Sequence, residues 1–170
     1  MPSPIPPPPQ PPARYCPSLR FPPYRYVPGL QPHPLVHKDG HRCLGVPPIE
    51  PWHPGLPLGQ DTAWLGGLDL FNHRYWWESH ELWEQRWHQV AKEHPTRALL
   101  QSCIQLAAAL LKHHLGDARS AQRLAERTLH RLAALHLAHP GHGGLHLPTL
   151  GQALRAHLAA NGPPPTLTVG

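Results

Sequence analysis

The chain has 170 residues, of which 25 are proline and 16 histidine, with a formal charge of +5 and an isoelectric point near 9.5. So small a basic surplus does not single out nucleic acid as a partner, and the many histidines make the charge responsive to pH just below neutrality. Cys16, Cys43 and Cys103 are odd in number and form no CxxC pair, which excludes a disulfide framework or a zinc knuckle as the basis of the fold.

Nineteen of the 25 prolines precede Gln60, so the first third of the chain cannot share the description of the rest. Residues 1–21 open with MPSPIPPPPQPPAR, a tract that favours extended polyproline II, and are expected to be a disordered proline-rich tail. A PxxP ligand for an adaptor domain is formally present there, but such ends are usually solvated spacers. No continuous apolar stretch of the length of a secretory signal is seen. The longest apolar run, Ile104 to Leu111, is too short to span a bilayer, and a cytoplasmic protein is the expectation.

Residues 22–60 lack helical periodicity, yet mix Tyr24, Tyr26, Val27, Leu30 and Leu35 with the turn formers Pro28-Gly29 and Asp39-Gly40. They are expected to form an irregular arm packed on the domain that follows, with Trp52 as a further anchor. Helical periodicity begins after Asp61-Thr62, an N-cap, and runs through Trp64, Leu65, Leu68 and Phe71 to a break near Asn72 to Arg74. Tyr75 to Ala91 forms a second helix. Pro95-Thr96 opens a third, Arg97 to Leu115, apolar on most of its circumference and closed by Gly116.

Asp117 caps a fourth helix that ends at Pro140-Gly141, with Ala121, Leu124, Thr128, Leu132 and Leu135 as one buried stripe. A fifth starts near Pro148, keeps Leu150, Leu154 and Leu158 in register and ends at Asn161-Gly162. The expected fold is all-α: a compact bundle of about five helices over residues 61–162, preceded by the irregular arm and followed by a disordered tail, 163–170.

On the second helix, a rotation of about 100° per residue brings Trp76, Trp83 and Trp87 to one arc that also holds His80 and Glu84. Trp77 closes one side, Glu81 lies on the boundary, and Glu78, Gln85 and Arg86 fall on the opposite, solvated face. Gln101, Gln105 and Lys112 form a polar stripe on the third helix. If the two stripes face one another, His80, Glu84, Gln101 and Gln105, together with Asn72, make an internal polar cluster.

Two readings of the cluster stand. It is a ligand or active-site pocket, in which Glu84 tunes His80 as a general acid or base or the pair contributes metal ligands. Or it is a hydrogen-bond network that fixes helix register.

The run GGLDLFNHRYWWESHELWEQRW, followed by LLQSCIQLAAALLKHHLGD and ARSAQRLAERTLHRL, resembles the all-helical domain of unknown function family 309, from about Gly66 to Leu135. YRYVPGLQPHP with Gly40-His41 resembles the extension of its longer members. The resemblance implies a small helical bundle whose polar positions map onto Asn72, His80, Glu81, Glu84 and Gln105, and it implies no reaction. Two positions depart from the pattern: Arg74 stands where members usually have glycine, which puts a left-handed turn there in doubt. Ser102-Cys103 replaces a usual Gly-Leu.

Arg119, Arg123, Arg127 and Arg131 form a basic ridge on the fourth helix that could meet nucleic-acid phosphates, although no nucleic-acid module or aromatic platform accompanies it. His136, His139, His142 and His146 could bind zinc or nickel, but a flexible, histidine-rich loop gathers metal adventitiously. No cofactor motif is present. The expected function is therefore a polar pocket of His80, Glu84 and Gln105 for a small molecule or metal, with His80 as the proton-transfer group. The alternative is a non-enzymatic interaction or scaffold module. Bundles of this size often dimerise, though nothing selects an interface.

Overall fold

The computed structural model describes residues 1–42 and 49–170; Cys43 and part of the expected arm lie outside the described residues. Five helices follow a single turn of 3-10 helix at Leu58–Gln60: α1 Thr62–Asn72, α2 Trp76–Gln89, α3 Pro95–His114, α4 Ala118–Ala138 and α5 Leu147–Ala160. Among the described residues the only extended pairing is an isolated bridge between Leu145 and Val169. No helix among the described residues is long and apolar enough to cross a membrane.

The helix ends follow from local chemistry. Asp61 accepts the Ala63 and Trp64 N–H groups, and Asp117 accepts that of Ser120, so each satisfies donors that have no partner within the helix. Pro95 sits in the first turn of α3, where its missing N–H costs nothing, behind the His94 cap. Gly116 and Asn161, both at positive φ, close α3 and α5.

Each helix packs on the next in the chain, most extensively α2, α3 and α4, with α5 on α4. The main core joins Trp64, Phe71, Trp76 and Trp83 to the leucines of α3, such as Leu100, Leu106 and Leu110. On α4 the expected stripe is buried except Leu124, which is half-buried. Gly67, in the middle of α1, allows the close approach of α2: a Cβ there would stand 2.0 Å from Trp83 Nε1. The loop between α1 and α2 turns at Arg74, whose φ of 67° is left-handed as the usual glycine would be. The doubt about that turn is thus resolved: arginine adopts it, at a cost of about 1–2 kcal/mol.

The two ends differ from the disordered tails expected. Ile5, Cys16 and Leu19 are buried in residues 1–21, and Leu167 is buried in 163–170. Cys16 and Leu19 join Leu70, Tyr75 and Leu82 in a separate cluster on a second apolar side of α1 and α2, while Ile5 and Leu167 enter the main core. A polyproline segment has no internal hydrogen bonds to break and can lie along such a surface. Val27 of the arm is fully buried in the main core.

Candidate functional site

Three anchors hold α2 in place. Trp83 fills the space over Gly67 and donates its indole N–H to the Trp64 carbonyl at 3.3 Å. Glu78 accepts the Tyr26 N–H and His41 Nε2–H on one oxygen, both at 2.9 Å. Arg86 donates to Asp61 Oδ1 from Nε at 3.2 Å and Nη2 at 3.0 Å.

Both Glu78 and Arg86 are buried, at 1% and 0% exposure, although the helical wheel assigns them to a solvated face. The wheel presumes one buried side, whereas the arm supplies a second. At the C-terminal end of α2, Arg97 lies over the Trp87 ring at 3.9 Å and donates to the Trp87 and Val90 carbonyls, joining α2 to the start of α3.

On the helix so held, His80, Glu81 and Glu84 are half-buried and offer one ligand atom each, all within 4.8 Å of one another. His80 Nδ1 stands 3.2 Å from Glu81 Oε1. Nδ1 is inaccessible to solvent and makes no hydrogen bond there. The convergence follows from helical spacing: positions 80 and 84 are one turn apart, and 81 and 84 are three residues apart on the adjoining row. Trp76 and Trp87 flank the group, and the indole N–H of each is likewise buried without an acceptor.

Two members of the wider cluster take partners elsewhere. Asn72 lies under the C-terminal segment, donating Nδ2–H to the Leu167 carbonyl at 2.9 Å and accepting the Leu167 N–H at 2.7 Å. Gln105 turns to α4, where its Oε1 accepts from Arg131 Nη1 at 2.8 Å. Gln101 is half-buried, and among the described residues no hydrogen bond joins it to His80, Glu81 or Glu84. The pairing expected from i,i+4 spacing, His80 with Glu84, gives way to the closer contact with Glu81.

The four histidines at the end of α4 take separate posts. His146 caps α5 by accepting the Thr149 N–H, and His142 Nε2 pairs with the Thr96 hydroxyl at 3.2 Å. His139 and His142 have ring centroids 6.4 Å apart, while His136 is exposed. Burial first, then the neighbouring His94 and His139, hold His142 below the ordinary histidine pKa. Cys103 is fully buried, with its thiol pushed up by desolvation, and is a small core side chain as expected.

Two buried acids, Asp69 and Glu78, fasten the N-terminal segment and the arm to the helices, and periodicity did not mark either. Asp69 accepts the Tyr15 and Cys16 N–H groups, each at 2.8 Å, and pairs with Arg14 Nε at 3.4 Å. Glu78 does the same for Tyr26 and His41. The available signal was the extension itself, because Tyr26 belongs to YRYVPGLQPHP and His41 to the following Gly-His.

The architecture is that of a small helical domain with a histidine and two glutamates gathered on its second helix. The model of a family described as "Domain of unknown function (DUF309)" matches residues 64–124, from the first turn of α1 into α4. This bears out the resemblance over those residues and includes His80, Glu81, Glu84 and Gln105; the N-terminal extension is outside the match. No curated protein and no solved structure matches the chain.

Proposed function

We propose that the domain binds a divalent transition cation through His80 Nδ1 and one carboxylate oxygen each of Glu81 and Glu84. The observation that carries this reading is the meeting of one ligand atom each of His80, Glu81 and Glu84 within 4.8 Å, with His80 Nδ1 buried, without a hydrogen bond and 3.2 Å from Glu81 Oε1. Ligands bonded to one tetrahedral zinc at 2.0–2.1 Å stand about 3.3 Å apart, so modest side-chain rotation closes the set. Imidazole with two carboxylates suits manganese, iron or zinc, and the two negative charges balance a dication. Three protein ligands leave positions for water or a substrate oxygen, as a cation acting as a Lewis acid requires. His80 then serves as a ligand and not as a proton carrier.

The test is calorimetric titration of the full chain with Mn2+ and Zn2+, beside His80→Ala, Glu84→Gln and a His136→Ala, His139→Ala double variant. One equivalent should bind to the parent and to the double variant, and at 100 times Kd it should raise stability by about 2.7 kcal/mol. Each change at positions 80 and 84 should weaken binding at least ten-fold. Binding that disappears only in the double variant places the metal on the adventitious loop and ends the proposal. If no cation binds at all, the trio is an ion-paired helix surface, and the scaffold reading takes its place.

A further inference from the structure

Between the C-terminal half of α3 and the N-terminal half of α4 runs a groove of about 330 Å³, lined by Lys112, Ser120, Arg123, Leu124 and Arg127. We propose that it is a binding site for a small phosphate-bearing ligand, separate from the cation site on α2. Three cations from two helices line it together with the Ser120 hydroxyl, and the half-buried Leu124 is an apolar wall.

The groove follows from the packing register. Gln105 and Lys112 lie two turns apart on one edge of α3, and Arg131 reaches Gln105 across the interface. In an antiparallel pair this sets Lys112 beside the first turns of α4, where Arg123 and Arg127 stand. Of the arginine ridge, Arg123 and Arg127 line the groove and Arg131 reaches Gln105 of α3, while Arg119 is not among the lining residues.

Opposing charge is scarce. Asp117 pairs with Lys112 at 3.4 Å, and its carboxyl is held below the ordinary range by hydrogen bonds from Ser120. Glu126 accepts from Gln122 and lines the cleft toward α5. Among the described residues no carboxylate pairs with Arg119, Arg123, Arg127 or Arg131. Arg123 donates Nη2–H to the Ser120 hydroxyl at 3.3 Å. Two guanidinium forks, an ammonium and a hydroxyl along one groove match the several acceptor oxygens of a phosphate, which guanidinium binds in a bidentate manner.

Size and lining select a small ligand over a nucleic-acid strand. A volume of about 330 Å³ lies at the lower end of the range of small-molecule sites. Strand-binding grooves stack bases on aromatic rings, and none of the five lining residues is aromatic.

The experiment uses the full chain dialysed against a chelator, so that the cation site plays no part, and titrates it with pyrophosphate at constant ionic strength. A short single-stranded oligonucleotide and sulfate form parallel arms. Saturable one-site binding of pyrophosphate is expected, weakened about ten-fold by Arg123→Gln, Arg127→Gln or Lys112→Gln, each made on an accessible side chain. Arg119→Gln makes the same charge change outside the lining and should leave the affinity within two-fold of the parent. Equal loss in Arg119→Gln, or a sulfate response as strong as that to pyrophosphate, would mean diffuse charge attraction and overturn the proposal. So would absence of saturation, or oligonucleotide binding with a steep salt dependence and no pyrophosphate binding.

Discussion

Closed off from solvent, the Arg86 guanidinium directs its donors to Asp61 Oδ1, to the Glu50 carbonyl at 2.9 Å and to Gln89 Oε1 at 3.0 Å. Asp61 is at once the cap of α1 and the counter-charge of α2, so one carboxylate fixes the mutual position of two helices. Removing one member of a buried pair leaves the other charge without compensation, typically at a cost of 3–5 kcal/mol. Arg86→Met is therefore expected to lower the unfolding free energy by about that amount, as read in urea denaturation. A loss below about 1 kcal/mol would show that water or the main chain stabilises Asp61 unaided.

At the scale of the helix, Gly67 sets how closely α1 and α2 approach. An added methyl would meet the Trp83 ring at 2.0–2.5 Å, and that ring is enclosed on its other sides by Trp64 and Phe71. Gly67→Ala is expected to destabilise the fold by about 1–3 kcal/mol despite the better helix propensity of alanine. The shift should appear in the urea midpoint and in the near-ultraviolet dichroism of the tryptophans. A stabilised variant would mean that the helix pair separates freely.

The helices themselves were legible in the sequence because their signals are local: Asp61 and Asp117 cap, Pro95 opens, Asn161-Gly162 closes. What lay beyond reach depended on distant partners. Glu78 and Arg86 read as solvated because only one face of α2 was credited with a neighbour. Gln105 shares its helix edge with a polar stripe, but periodicity does not say whether that edge meets α2 or α4. His80 and Glu84 were legible as neighbours because their proximity is intrahelical and needs no tertiary contact, whereas Glu81, on the boundary of their arc, was not placed with them by periodicity.

For the whole molecule, Asn72 and Tyr15 carry a consequence in folding order. Asn72 grips Leu167 at a separation of 95 residues, and the Tyr15 hydroxyl accepts the Val169 N–H at a separation of 154. The helices meet neighbours in sequence and can gather quickly, whereas these contacts must first bear the entropy of closing nearly the whole chain. The two ends are thus a seam drawn shut late and opened early. Native-state hydrogen exchange should find the Leu167 and Val169 amides far less protected than those of α3, such as Leu106, with Asn72→Ala widening the gap. Equal protection would make the ends part of the same cooperative unit as the core.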